Sequence, residues 1–151
     1  MPTIERIADV EHLVGQEVFV SDWTEVTQAR IDKFAEATGD FQWIHVDPQR
    51  ARRDSPYGAT VAHGFLTLSL IGGWNEGAFT IGDSRMGINY GLNRVRFMGP
   101  VPAGSRVRGR YRVKSFEPIE GGGQIVMTIT IEREGVDKPV CVAESVGRRF
   151  R

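Results

Sequence analysis

Two short segments hold most of the residues able to move protons. In Gly39-Asp40-Phe41-Gln42-Trp43-Ile44-His45 a carboxyl and an imidazole stand five residues apart. That spacing is too wide for one helical face, but a bent, extended segment brings the two together. Asp40 follows a glycine that closes a helical pattern, and a helix C-terminus disfavours a carboxylate by a few tenths to about 1 kcal/mol. Phe41, Trp43 and Ile44 are expected to desolvate it as well. Both effects push a carboxyl pKa upward, toward the range in which an acid–base pair works near neutrality. The competing reading is structural, with Asp40 capping a turn and His45 hydrogen-bonded in the core. Asp47, which precedes Pro48, reads as a turn initiator.

The second segment is Ala62-His63-Gly64-Phe65, at the start of an apolar helical run. The first N–H groups of a helix lack internal partners and attract negative charge. Gly64 lets a ligand approach the backbone closely, so an oxyanion developing on a carbonyl would be stabilised there. Alternatively Gly64 only permits tight helix–sheet packing, and His63 satisfies the helix start. His12 sits in a charged segment and reads as surface. His45-Val46-Asp47 contains half of a two-histidine, one-carboxylate metal triad, but the only histidine downstream is His63, so no metal is expected. Cys141, in an apolar strand-like run, reads as a buried small hydrophobe rather than a nucleophile.

Seven basic residues and no acidic one lie between Arg94 and Lys114. Arg106, Arg108, Arg110 and Arg112 alternate with Val107, Gly109, Tyr111 and Val113, which places the arginines on one face of a strand. That face is either solvated and balanced by acids elsewhere, or it attracts a phosphate-bearing ligand.

Positioning these groups requires a defined order of elements. Gln16 to Trp23 reads as a strand. Thr27 is a good N-cap, with Val26 and Ile31 at the staple positions around it. Ile31, Phe34, Ala35 and Thr38 continue at helical spacing, and Gly39 is a natural residue for the left-handed turn that ends a helix. Pro48 to Thr60 reads as a turn-rich connection. A second helix starts near His63 and carries Phe65, Leu66, Leu68, Leu70 and Ile71, apolar nearly all round and therefore expected to be buried. Four strands follow, Ile88 to Phe97, Ser105 to Phe116, Gln124 to Glu134 and Pro139 to Arg149. Ile125, Met127, Ile129 and Ile131 share one face of the third. Helices segregated from a run of antiparallel strands make an α+β fold.

The 151 residues are expected to form a single domain, 1–151. A formal net charge of zero argues against a general nucleic-acid binder and favours self-association. One cysteine allows no intrachain disulfide and gives no sign of an oxidising compartment. The N-terminus does not read as a signal peptide, and no window approaches 18 apolar residues, so neither secretion nor a membrane span is expected. The default location is the cytoplasm. Neither a dinucleotide-binding Gly-x-Gly-x-x-Gly placed between strand and helix nor a P-loop, a Cys-x-x-Cys pair or a Gly-x-Ser-x-Gly elbow occurs.

GDFQWIHVD, then VAHGFLTLSL, then INYGLNRVRFMGPVPAGSRV, in that order and spacing, resemble the MaoC-like dehydratases. That family includes R-specific enoyl-CoA hydratases and the nodulation-protein-N-like group, and the likeness runs from about Trp23 to Arg112. The resemblance implies a hot-dog fold, a long central helix wrapped by a curved antiparallel sheet, usually in a homodimer. It implies that Asp40 and His45 are catalytic and that the N–H of Gly64 polarises a thioester carbonyl. It further implies reversible addition of water to trans-2-enoyl-CoA, or to the acyl carrier protein thioester, with no cofactor. Some members add a serine or asparagine, for which Asn89 and Asn93 are the candidates here. Trp74, Phe79 and Tyr90 would shape the acyl tunnel. The alternative is a non-catalytic acyl-thioester-binding subunit, or half of a heteromeric dehydratase.

Overall fold

The computed structural model describes residues 3–151. Local chemistry sets the first long helix. In α1, Gln28–Thr38, the Thr27 hydroxyl accepts from the N–H of Arg30 at 3.1 Å. Val26 and Ile31, on either side of that cap, are both fully buried. Gly39 ends the helix at φ 80°, donating its N–H to the Ala35 carbonyl. An L side chain rarely adopts that backbone, so glycine makes the sharp exit that starts the Asp40 segment.

Most of the chain after residue 85 is sheet. The strands β1 to β8 are Thr3–Ile4, Glu17–Val20, Thr24–Val26, Thr80–Ile81, Met86–Phe97, Ser105–Ile119, Gly122–Arg133 and Cys141–Phe150. The main antiparallel sheet runs β2-β6-β7-β8-β5, with β3 also on β6. Ile125, Met127, Ile129 and Ile131 of β7 are all buried, on the face the alternation assigns to the core. The helix α4, Gly64–Ala78, lies across the sheet. The Tyr111 hydroxyl donates to the Ile71 carbonyl at 3.2 Å and the Trp74 indole to the Thr24 hydroxyl at 2.9 Å. Gly109 makes room for Trp74, because a Cβ there would lie 2.9 Å from the indole. This is the hot-dog arrangement of the α+β class, a central helix against a curved antiparallel sheet.

Several expectations are corrected. Gln16 to Trp23 is not one strand but the short β2 and an irregular stretch before β3. Much of the connection from Pro48 is helical, as α3, Pro48–Asp54. Asp47 initiates that helix, its carboxylate accepting from the N–H of Arg50 at 3.0 Å with Pro48 in the first turn. Proline there fixes a helical φ and loses no hydrogen bond. The N-terminal β1, which pairs parallel with β4, carries no periodicity that two residues could show. Finally, α4 is buried on one side only. Leu66, Thr67, Ile71 and Ala78 face the core, while Phe65 is 71% exposed.

The basic strand β6 is balanced by acids. Arg106 pairs with Glu134 at 2.7 Å, Arg108 with Glu132, and Arg110 with both Glu17 (3.0 Å) and Glu132 (3.2 Å). Burial alone would raise the Glu132 carboxyl, but hydrogen bonds from Arg108 and Arg110 outweigh it and hold the pKa below the ordinary range. Arg106 and Arg108 also stack over Trp23. Three of the four alternating arginines are thus balanced by acids, and the fourth, Arg112, donates to the Gly15 carbonyl. Cys141 is buried within the core cluster, and desolvation pushes its thiol up to about 11. Among the described residues no helix is long and apolar enough to cross a membrane.

Candidate active site

The Asp40 segment turns sharply twice. After the left-handed exit at Gly39, the Asp40 carboxylate accepts from the N–H of Gln42 at 3.3 Å. A one-turn helix, α2 (Trp43–Val46), comes next and carries His45. Gln28 of α1 fixes α2 by donating its side-chain N–H to the His45 carbonyl at 2.8 Å, and it accepts from the Thr60 hydroxyl at 2.5 Å. On the other side Val61 donates to the Ile44 carbonyl (3.0 Å) and Ala62 to the Val101 carbonyl (2.8 Å). These bonds hold α2 against the segment that leads into α4.

His45 is buried, with Nδ1 2.6 Å from the Val61 carbonyl. A carbonyl can only accept, so Nδ1 carries the proton and donates. The neutral ring is left with a lone pair on Nε2, the arrangement a general base needs. Asp40 differs from expectation, since its side chain is 52% exposed. The two turns throw Phe41 outward, leaving it 60% exposed, so that ring does not desolvate the carboxylate. Trp43 and Ile44 are only partly covered.

His63 joins this pair. Its Nε2 lies 3.0 Å from the backbone carbonyl of Asp40 and 4.0 Å from the Asp40 carboxylate. Its ring stacks on His45 with centroids 3.8 Å apart and planes 24° from parallel, and it touches Phe34 at 4.9 Å. One polar atom from each of Asp40, His45 and His63 falls within 4.8 Å of the others. Sequence reasoning makes His63 scaffold at a helix start. Nothing local marks it otherwise, because its contacts are made with segments far away along the chain. A donor set of this kind invites a metal reading. However, stacked rings direct their lone pairs side by side rather than at one point, and His45 Nδ1 and His63 Nε2 are engaged by carbonyls. Asp47, capping α3, takes no part. The arrangement suits proton transfer better than coordination.

Gly64 opens α4, and as its first residue it has no intrahelical acceptor for its N–H. His45 and Gly64 line one cavity of about 380 Å³, walled also by Tyr57, Phe97, Met98 and Val140. A Cβ on Gly64 would meet the Phe97 ring at 3.2 Å. The structure thus brings His45 and Gly64 to one cavity and sets Asp40 beside His45. Asn89 and Phe79 line a separate groove of about 680 Å³ between α4 and β5. Asn93 and Tyr90 are exposed, with Tyr90 under the Arg148 guanidinium, and Trp74 is committed to Thr24.

Residues 9–136 match the family model described as the MaoC like domain. The chain is 47% identical over 149 residues to 3-hydroxyacyl-thioester dehydratase Z of Mycobacterium tuberculosis, covering 98% of both. It is 49% identical over 140 residues to Nodulation protein N of Rhizobium leguminosarum, covering 91% of this chain and 86% of that one. In three dimensions it resembles the R-hydratase PhaJ1 from Pseudomonas aeruginosa, with a TM-score of 0.78 at 21% identity, over 97% of this chain and 86% of that one.

Proposed function

Since the chain belongs to the MaoC-like dehydratase family, we propose that it is a hydratase adding water reversibly to trans-2-enoyl-CoA to give the R-3-hydroxyacyl thioester. One observation carries this reading. His45, with Nδ1 committed to Val61 and Nε2 without a hydrogen bond among the described residues, stands beside Asp40 and lines the same cavity as the helix start at Gly64. The substrate class is supported by the dehydratase of Mycobacterium tuberculosis, whose name specifies a 3-hydroxyacyl thioester.

The N–H of Gly64 hydrogen-bonds the thioester oxygen and draws electron density from the double bond. Asp40 and His45 hold a water between them. One member of the pair takes a proton from it as the oxygen bonds to C3. The other delivers a proton to C2, and a proton passing back across the pair restores the starting state. Dehydration runs the same steps in reverse. No metal or redox cofactor enters this scheme.

The molecule is proposed to act as a cytoplasmic homodimer, with residues 1–151 as one domain. Edge strand β5 exposes Met86, Ile88, Tyr90 and Leu92, and α4 exposes Phe65 beside it. A second copy would cover this face.

The test monitors the loss of ultraviolet absorbance as crotonyl-CoA is hydrated. Asp40→Asn and His45→Gln are each expected to lower kcat by about 10²–10⁴-fold in folded protein. Near-normal turnover in either variant overturns the mechanism. A purified wild type that binds acyl-CoA without ever hydrating an enoyl thioester identifies a binding subunit instead.

A further inference from the structure

We infer that His63 is a positioning residue, one that sets Asp40, His45 and the start of α4 relative to one another through a single N–H and a single stacked face. This rests on the hydratase reading above. The His63 side chain is 3% exposed and touches all three parts of the site. Its Nε2 faces the Asp40 carbonyl at 3.0 Å, and because that oxygen can only accept, Nε2 must carry the proton. Its ring face lies on His45. Its own backbone is the N-cap of α4, adjoining Gly64.

The two imidazoles therefore carry opposite tautomers, protonated on Nδ1 in His45 and on Nε2 in His63. The consequence for His63 is visible in the packing. Its Nδ1 is buried with no hydrogen-bond partner among the described residues. A buried polar atom without a partner destabilises the fold, and a phenylalanine in that slot would avoid the penalty while keeping the ring contacts with Phe34 and His45. What the phenylalanine would lose is the donor to Asp40. Retaining an imidazole at that expense is accounted for by the one bond it makes there. That bond anchors the backbone of a residue whose side chain is half in solvent and whose other hydrogen bonds among the described residues are local ones, to Thr38 and Gln42.

The experiment compares three substitutions. His63→Phe keeps the ring and removes the donor. His63→Asn keeps a short amide that cannot reach the Asp40 carbonyl. His63→Gln places an amide N–H near the position of Nε2. Misplacing reacting groups by about 1 Å can cost about 10²-fold. His63→Phe and His63→Asn are thus expected to lower kcat by roughly 10–100-fold with KM changed by less than about threefold. His63→Gln should recover most of that loss. A structural role alone would lower thermal stability and leave kcat per folded molecule near wild type.

Wild-type kcat in folded His63→Asn or His63→Phe, or a His63→Gln as impaired as His63→Asn, overturns the proposal. If the phenylalanine variant fails to fold, the asparagine–glutamine comparison decides. A measurement on the wild type stands apart from activity. The chain has three histidines, so ring-nitrogen NMR shifts can be assigned. His63 protonated on Nε2 is the expected result, and protonation on Nδ1 overturns the proposal whatever the variants do. A wild type that fails to hydrate any enoyl thioester overturns the hydratase reading instead, and leaves that tautomer test intact.

Discussion

At the residue scale, the site separates what local sequence carries from what only the fold supplies. Asp40 and His45 were legible because they flank one turn, with Gly39 announcing the helix end before it. Gly64 is marked in the sequence only as a glycine at the start of an apolar helix, a place that close packing explains as well as a carbonyl site does. The surroundings of Asp40 were not legible. Aromatic neighbours in sequence predict desolvation, yet the turn sends Phe41 outward. His63 was invisible as a member of the cluster because each of its contacts comes from another part of the chain. Gly64 yields its own prediction. Gly64→Ala keeps the N–H but sets a methyl 3.2 Å from Phe97, a half-exposed ring that can give way. Thermal stability should barely change. Catalytic efficiency should fall about tenfold, because Phe97 lines the same cavity. Phe97→Leu in the same chain should restore part of it, as kcat/KM on crotonyl-CoA in a double-mutant cycle would reveal.

At the element scale, elements with two-ended local signals are legible within a few residues. α1 has a hydroxyl cap and a glycine exit, and β7 has strict alternation. α3 is harder to read because Asp-Pro starts a helix as readily as a turn, and the residues after the proline decide between them. Gln49 to Arg53 are mostly good helix formers. The alternating arginines of β6 are plain in the sequence, but their partners lie on β2 and β7 or just beyond a strand end, and only strand pairing reveals them. Those ion pairs bear on acid stability. A carboxyl whose folded pKa lies below its ordinary 4.5 stabilises the fold above that value and loses the contribution as pH falls through the lowered one. Glu132→Gln should accordingly be less stable than wild type at neutral pH. The gap should narrow as pH drops from about 6 to about 3. Urea titrations of both proteins at several pH values check this, and a gap that widens on acidification contradicts it.

At the scale of the whole molecule, the α+β class and the helix-on-sheet layering are legible in the element order, while the exposed side of α4 is not. Hydrophobicity all round a helix says that it is to be covered, not by which chain. The apolar run of β5 makes the same point, and an unpaired edge of that kind is one that proteins ordinarily cover. Leu92→Asp should convert the proposed dimer to monomer, measured by sedimentation at concentrations that keep wild type associated. A wild type that sediments as a monomer throughout counts against that assembly. One further consequence lies in the sheet order. β8 follows every other described strand along the chain, yet it sits inside the sheet, bonded to β7 on one side and β5 on the other. Without it, β5 has no neighbour and the groove beside α4 has no floor at Ser145, Val146 and Gly147. The sheet therefore closes only once β8 is in place, and a chain without β8 leaves β7 and β5 each with a row of backbone groups that β8 otherwise pairs.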